Sequence, residues 1–417
     1  MAAADAPERI GQEKALEAPK QRGLLAAVPR RVMLLIAVMA VNNFAFSYLM
    51  IFITAYLPEV GVSGATIGWV IGAEGLAVAV LAIPLGIVSD RRGRKNIMIL
   101  GTVGTAPVFF LMTLIDQPAV LILAGLVGGV FEGAMLATMN ALIADQTTPK
   151  NRDSAFTISF IVGGVGGTLG TALPFVVPGL SSLLGMSVRA VHISLLYAFG
   201  ALSLFLPIEL YLIFRDYHEA PHPSEGLLRG KSTRTLLKFS GINSLIGLGA
   251  GLIIPLIPLW LYLRFAIPDT YSGPILAVAG TTIGLGAVFS PRLAKRLGSV
   301  RAIVLTQGLS LLFMVALAFV GDPVTASVVY VVRTMLMNMS SPLADSFLMG
   351  IVVPEERGLA SSLNSVIWRI PNSVTTIIGG EMLASGEYVL PFLLAGAFYA
   401  VSISLFYGNF RNVKPLS

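Results

Sequence analysis

Long runs of apolar residues without charge alternate with short polar segments along nearly the whole chain. Each run has about 20 residues or more, the length that an α-helix needs to cross the hydrocarbon layer of a bilayer. The runs are apolar on all sides and rich in glycine, which favours helices over the alternating strands of a membrane barrel. The predicted spans cover residues 32–57, 65–88, 96–115, 119–144, 154–178, 193–214, 239–262, 273–293, 302–320, 324–351, 359–383 and 389–409. The pattern therefore predicts an all-α polytopic membrane protein with twelve transmembrane helices, embedded in the lipid bilayer.

The composition narrows the possible functions. Of the 417 residues, 55% are hydrophobic and only 12% are charged, whereas a soluble globular domain carries about 25% charged residues. A soluble enzyme is therefore nearly excluded. The chain has no cysteine, and its three histidines, His192, His218 and His222, lie outside the middle of the predicted spans. We therefore expect no enzymatic activity, no metal site and no cofactor.

The basic residues are distributed unevenly between the two sides of the membrane. If both termini are cytoplasmic, 24 of the 28 Lys and Arg residues lie in the inner segments. The outer loops then hold only Arg189 and Arg264, while Arg333 and Arg369 lie inside predicted spans. This bias predicts cytoplasmic termini and an integral protein of the plasma membrane. The net charge of +6 then reflects orientation, and no nucleic-acid partner is expected.

The chain contains an ungapped internal repeat. A shift of 205 residues superimposes Gly68 on Gly273, Arg91 on Arg296, Gly93 on Gly298, Pro149 on Pro354 and Arg152 on Arg357. Six spans in each copy give both copies the same orientation, with a path between them. The predicted organisation is a disordered cytoplasmic tail at 1–31 without a signal peptide, bundles at 32–214 and 239–409, a cytoplasmic linker at 215–238 and a tail at 410–417.

A distinctive polar motif follows the second span, in the stretch from Gly86 to Lys95. The chemistry of its residues predicts a role for each. Gly86 lets a neighbouring helix pack closely, Asp90 pairs with a guanidinium, and Gly93 permits a tight turn. The alternative is a simple positive anchor on the inner side. A degenerate copy, Pro291-Arg-Leu-Ala-Lys295-Arg296-Leu-Gly298, follows the eighth span.

These motifs resemble the signature of the major facilitator superfamily, Gly-x-x-x-Asp-Arg-x-Gly-Arg-Lys. The resemblance implies a secondary transporter of two pseudo-symmetric six-helix bundles that works by alternating access, as a monomer, on a small-molecule substrate. It also implies a cytoplasmic gate, formed by Gly86, Asp90, Arg91, Gly93, Arg94, Asp145, Arg296, Gly298 and Arg357.

Two departures separate the chain from the proton-coupled drug exporters that it otherwise resembles. Those exporters carry an arginine three residues before a Gln-Gly pair in the fourth span, whereas this chain reads Gly128-Gly129-Val130-Phe131-Glu132-Gly133. They also carry a Gly-Pro pair in the fifth span, where this chain has Pro174 four positions late. The resemblance is thus to a largely uncharacterised branch that is loosely related to drug-efflux members.

Four charged residues, Glu74, Glu132, Arg333 and Arg369, lie deep within the predicted spans, and burial of a charge at the centre of the bilayer costs about 2.5–3.5 kcal/mol. Glu132 and Glu74 are candidate proton-coupling residues, and the alternative for each is a structural pair with an arginine. Arg369 is either a substrate-facing or gating arginine, or a bridge to Asp345 or to an acid of the other half. The candidate substrate cavity comprises Asn42, Asn43, Arg333, Asn338, Arg369 and Asn372, whose asparagines can instead bond between helices.

Taken with the resemblance, these residues predict proton-coupled export of small amphiphilic molecules, with protons as the coupling ion. A second hypothesis is an importer or facilitator of a polar or anionic metabolite, with Arg333 and Arg369 as the anion site. A third, from another class, is a non-transporting receptor or lipid-moving protein on the same fold.

Overall fold

The computed structural model describes residues 28–148, 150–217, 232–353 and 356–413. The predicted tails at 1–31 and 410–417 and the linker at 215–238 therefore lie mostly outside the described residues, as do Pro149 and Pro354 of the repeat. Within these described residues, the helical segments group into twelve helices. They are α1 (Arg30–Ile51, Phe52–Tyr56 and Leu57–Glu59), α2 (Gly64–Arg92), α3 (Arg94–Val103 and Thr105–Leu111), α4 (Pro118–Asp145), α5 (Arg152–Ala172, Leu173–Val176 and Val177–Leu184), α6 (Val188–Ser203 and Leu206–Phe214), α7 (Thr233–Gly251, Ile254–Leu256 and Ile257–Phe265), α8 (Asp269–Leu297), α9 (Ser299–Phe319), α10 (Pro323–Ile351), α11 (Arg357–Ala384) and α12 (Leu390–Phe410).

The helical content agrees with the predicted all-α class, and no strand occurs in the described part of the chain. Eight helices, α1, α2, α4, α5, α6, α7, α9 and α12, are long and apolar enough to cross a membrane. The other four are interrupted or more polar: α3 breaks at Gly104, α8 carries Lys295 and Arg296 in its last turn, α10 carries Arg333, and α11 carries Arg369. These polar side chains lower the hydropathy of helices whose lengths otherwise match their neighbours.

The internal repeat is visible in the helix boundaries. A shift of 205 residues carries Gly64–Arg92 onto Asp269–Leu297, and it carries the first residues of α3, α4 and α5 onto those of α9, α10 and α11. Gly93 and Gly298, which end the paired helices α2 and α8, both have positive φ, at +97° and +81°. The sharp turn that glycine allows at this point is therefore common to both halves.

Proline and local winding shape the helices that line the interface between the halves. Within α7 the α-helix ends at Gly251, and a 3₁₀ turn at Ile254–Leu256 contains Pro255, as expected where proline removes a backbone donor. In α1, Phe52–Tyr56 forms a π-helical turn, a distortion often found at functional sites.

The halves pack tightly at one end, which we call the outer end after the predicted orientation. On α2 and α11, a Cβ added to Gly68 would lie 2.8 Å from the Cα of Gly380 and 2.9 Å from the Thr376 carbonyl oxygen. On α8 and α5, a Cβ on Gly273 would lie 2.6 Å from the Thr171 carbonyl oxygen. Backbones meet this closely only because the glycines have no side chain, and they close the outer end.

Glycine does not play this part at Gly86. The sequence predicts close helix packing there, but a Cβ at Gly86 would meet nothing within 4 Å. That interpretation is wrong for this conformation, because the tight contact between α2 and α11 lies nearer the outer end of α2, around Gly68. The opposite end of the bundle is the inner end.

Candidate functional site

The central polar feature of the structure joins α4 of the first half to α11 of the second. The Arg369 Nη1 atom lies 3.7 Å from the Glu132 Oε1 atom, and the two side chains are 32% and 20% exposed. Glu74 of α2 interacts with the Glu132 carboxyl and with Arg369, and it is buried. The structure thus brings three of the four predicted intramembrane charges into one cluster, which we call the central charge cluster (Glu74, Glu132 and Arg369).

Small residues place these groups together. A Cβ on Gly129, one turn before Glu132, would lie 2.1 Å from the Glu74 carbonyl oxygen, so α4 packs directly on α2 at this level. A Cβ on Gly75 would lie 2.2 Å from the Ser373 hydroxyl, which donates a hydrogen bond to the Arg369 carbonyl oxygen. Glycines on α2 and α4 therefore allow the acidic helices and α11 to approach within the reach of one ion pair.

Arg333, the fourth predicted charge, lies apart from this cluster inside the second half. Its Nη2 atom donates a hydrogen bond to the Tyr399 hydroxyl at 2.8 Å, and its guanidinium lies over the Tyr399 ring. The side chain is buried, and its Nε atom has no hydrogen-bond partner among the described residues. The ring and the hydroxyl stabilise the cation, and no acid of the described residues lies within ion-pair distance of it.

A cavity of about 710 Å³ lies within the second half. Its wall includes Arg333, Asn338 and Asn372, three of the predicted cavity residues, together with Asp345 and Trp368. Asn372 also donates a hydrogen bond to the Gly247 carbonyl oxygen at 3.2 Å, which joins α11 to α7. The wall combines amides, one carboxylate and aromatic rings, so it offers both apolar contact and hydrogen bonding.

The two asparagines of α1 have separate surroundings. Asn43 donates a hydrogen bond to the Gly163 carbonyl oxygen of α5 at 2.7 Å and borders a crevice of about 390 Å³ between α5 and α8. Asn42 is buried beside Met135, and it borders a small pocket that Glu132 also lines. Its Oδ1 atom has no hydrogen-bond partner in the described structure. Asn42 is therefore the asparagine nearer to the central charge cluster.

The predicted gate residues of the first half form an ion-pair network at the inner end. The Arg94 Nη1 atom lies 2.6 Å from Asp145 at the end of α4, and Nη2 lies 3.1 Å from Asp90 of α2. Both partners belong to the first half, so this network fastens α2, α3 and α4 to one another. Arg94 begins α3 because Gly93 turns the chain there.

The remaining predicted gate arginines are exposed. Arg91 and Arg296 lie in the last turns of α2 and α8, and Arg357 begins α11. The Arg357 Nε atom donates a hydrogen bond to the Met349 carbonyl oxygen at 3.0 Å, which ties the end of α10 to α11. Their gating role stays a prediction.

A buried polar cluster at the outer end was not predicted from the sequence. His192 of α6 and Asp269 of α8 are buried, and their Nε2 and Oδ2 atoms lie 3.3 Å apart. Trp260 lies at the end of α7, a position where tryptophan commonly faces the membrane–water interface. It is instead fully buried, and its Nε1 donates to the Tyr388 carbonyl oxygen at 3.1 Å.

Comparison with known proteins identifies the class to which this architecture belongs. The sequence profile of the Major Facilitator Superfamily matches residues 35–337 and 239–416. The chain belongs to this superfamily. It is therefore a membrane transporter of small molecules, and not an enzyme.

Particular relatives and solved structures agree with this membership. The chain is 26% identical over 381 residues to a multidrug resistance protein MdtG of Dickeya zeae, an alignment that covers 87% of this chain and 90% of the relative. The crystal structure of nucleoside transporter NupG has a TM-score of 0.72 at 17% identity and covers 93% of this chain and 100% of its own. An auto-inhibited POT family peptide transporter has a TM-score of 0.74 at 14% identity, covering 93% and 99%. The structural likenesses show the fold.

Proposed function

We propose that this protein is a proton-coupled exporter of small amphiphilic molecules in the plasma membrane, with Glu132 as the residue that carries the coupling proton. The observation that supports the proposal most strongly is the pairing of Glu132 with Arg369 across the two halves. A proton on this carboxyl changes a contact between the bodies that move relative to each other during alternating access.

The proposed step follows from the charges of the cluster. With Glu132 ionised, the carboxylate attracts Arg369 and holds α4 against α11. A proton from water that binds Glu132 neutralises the carboxylate and weakens this attraction. Arg369 can then bind water or substrate instead. Return of the proton to water on the other side restores the pair. Glu74 supplies a second carboxyl beside Glu132, so the cluster holds two acids and one arginine.

Exchange of a proton for a substrate requires that proton binding and substrate binding act on the same conformational equilibrium. The cavity of the second half borders Asn372, one turn beyond Arg369 on α11. A substrate in this cavity therefore lies beside the helix that carries the ion pair. Aromatic and amide side chains on the wall suit a molecule with an apolar body and a few polar groups.

Export rather than import is supported by the name of the relatives, which are multidrug resistance proteins. The anionic-metabolite hypothesis has less support, because both of its arginines already contact protein groups, although Arg333 also lines the cavity. Arg369 pairs with Glu132, and Arg333 is held by Tyr399 in the interior of the second half. The cytoplasmic location of both termini and a monomeric state are part of the proposal.

Reconstitution in liposomes tests the proposal. A proton gradient imposed across the membrane should drive accumulation of an amphiphilic cationic dye by the purified protein, and Glu132→Gln should abolish this accumulation while dye binding persists. Glu381→Gln is the matched control, because Glu381 is an exposed acid near the outer end of α11. Undiminished accumulation by the Glu132 variant would refute the coupling role. Gradient-driven uptake of an organic acid, with no dye transport, would favour the anionic alternative.

A further inference from the structure

A second cluster of titratable side chains spans the two halves at the outer end. It shares no residue with the central charge cluster. His192 of α6 and Asp269, the first residue of α8, are both almost completely inaccessible to solvent. Their side chains face each other with 3.3 Å between Nε2 and Oδ2. Neither atom has a partner with hydrogen-bond geometry among the described residues, so the pair is close but incompletely satisfied.

Residues of α1 surround the histidine on its other side. The Tyr48 hydroxyl lies 2.8 Å from His192 Nδ1, and the Tyr56 ring stacks on the imidazole with 3.9 Å between ring centroids. When Tyr48 donates to Nδ1, the proton of the neutral imidazole resides on Nε2, the ring nitrogen that lies nearest to Asp269. This arrangement fixes both the ring orientation and the atom that meets the carboxyl group.

The other charged groups near this pair are already engaged. Glu59 at the end of α1 accepts a hydrogen bond from the backbone N–H of Asp269. Arg189 of α6 pairs with Asp116 at 2.8 Å on the surface, and Arg264 of α7 donates to the carbonyl oxygens of Ala318 and Val320. Between Thr168 and Ser187, α5 and the turn after it contribute no titratable side chain. Thus none of these arginines neutralises Asp269 directly.

Burial makes the proton content of the pair depend on the conformation. With a neutral imidazole and an ionised carboxylate, the closed site holds a net negative charge away from water, which is costly. One added proton removes the net charge of the His192–Asp269 pair, whether it resides on the imidazole or on the carboxyl. Burial raises the pKa of Asp269, and the neighbouring Glu59 carboxylate raises it further. When the halves separate at the outer end, both groups face water and return to ordinary pKa values of about 6.5 and about 3.9.

We propose that His192 and Asp269 form a second proton-binding site, which takes up one proton from the outer medium as the outer end closes and returns it there as that end opens. This site goes beyond the proposed function, because its proton enters and leaves on the same side and crosses no membrane. It makes closure of the outer end sensitive to the external pH.

The direction of the pH effect follows from linkage. The closed state holds more protons than the open state between about pH 7, because burial raises the pKa of Asp269 to about 7, and about pH 6.5, where an exposed His192 binds its own proton. Acidification toward pH 6.5 therefore favours closure by about threefold in total. Below it, the exposed His192 also binds a proton, the two states hold equal numbers, and the dependence levels off.

Distances between spin labels at the outer end measure this equilibrium directly. The chain has no cysteine, so Gln117→Cys before α4 and Glu387→Cys before α12 place unique labels on exposed outer positions of the two halves. In lipid nanodiscs without substrate, the short-distance population of the otherwise unmodified chain should grow from pH 8 to pH 6.5. Asp269→Asn should remain closed throughout this range, because its side chain carries no charge to neutralise.

Two further variants keep the test decisive. In His192→Gln the opened site loses its histidine, so the pH dependence should continue below 6.5 toward about 4, where an exposed Asp269 binds its proton. Asp322→Asn changes an exposed outer acid at the start of α10 and should leave the pH dependence unaltered. A pH-independent distance in the parent, or a dependence that survives in Asp269→Asn, overturns the proposal. Glu132 is intact in every variant, so these results are separate from the test of proton-coupled export.

Discussion

Arg369 of α11 and Glu132 of α4 form an ion pair that connects the two halves of the protein, with 3.7 Å between Nη1 and Oε1. Glycines bring the backbones of α4 and α11 close to α2 at the level of this pair, as at Gly129 and Gly75. Charges in this setting are retained for function more often than for stability. We therefore expect that loss of this ion pair has a small effect on the stability of the protein and a large effect on transport.

Arg369→Gln tests this separation. Because both side chains retain some exposure, a double-mutant cycle with Glu132→Gln should give a coupling energy of about 1 kcal/mol or less in thermal stability. Proton-driven transport should nevertheless fall at least tenfold, since Glu132 loses the charge that it holds across the interface. Arg369→Lys should retain part of the activity. A stability loss of several kcal/mol, with transport intact, would mean that the pair is structural.

Closure of the outer end should depend on the glycines of α2. In Gly68→Ala the new Cβ would lie within 3 Å of backbone atoms of α11, which cannot move aside as a side chain can. Overpacking of this kind costs about 1–3 kcal/mol, and here the cost falls on the closed state. The spin-label pair described above should report a larger open population. Gly179→Ala on α5 is the control, because a Cβ there meets nothing within 4 Å.

The inner-end network predicts a different outcome for Asp145→Asn. Arg94 loses a charged partner that lies at 2.6 Å and is only 19% exposed, so thermal stability should fall by about 1–2 kcal/mol. Because Asp90, Arg94 and Asp145 all belong to the first half, the loss should appear as loosening of α2, α3 and α4. Hydrogen exchange at the start of α3 should increase. Asp153→Asn, an exposed acid in the first turn of α5, should change neither quantity.

Tyr399→Phe examines the support of Arg333. The substitution removes a buried hydrogen bond of 2.8 Å to a guanidinium, and bonds to charged groups contribute about 1.5–3 kcal/mol. Thermal stability should decrease by that amount. Tyr407→Phe on the same helix, where the ring is exposed, should have little effect. Equal stability of the two variants would show that the hydroxyl does not hold Arg333.

Much of the fold could be predicted because the bilayer imposes a simple pattern on the sequence. Uncharged runs long enough to cross the membrane coincide with the helices, and the 205-residue repeat reappears as a common offset of helix starts such as Gly64 and Asp269. The tight turn at Gly93 could also be predicted from the sequence, and the residue has a positive φ in the structure. Such features depend on neighbouring residues in the chain.

Features that depend on packing between distant helices could not be predicted. His192 and Asp269 are neighbours only because α6 and α8 meet at the outer end, and each alone resembles an ordinary loop-proximal polar residue. For Arg369, a bridge to an acid of the other half is one of the interpretations that the sequence allows, and the structure confirms it. Nothing in the sequence, however, places Arg333 beside Tyr399. A helix that is apolar on all sides has no amphipathic pattern. The direction in which one of its side chains points therefore cannot be inferred from the sequence.

The most direct test of the central claim is proton movement coupled to substrate movement. In proteoliposomes with an outward gradient of an exported dye and no imposed pH difference, dye flux through the unaltered protein should drive a measurable proton flux in the opposite direction. Glu132→Gln should abolish the proton flux while exchange of labelled for unlabelled dye continues. A proton flux that persists undiminished in Glu132→Gln, at the same rate of dye movement, would contradict the assignment of Glu132 as the coupling residue.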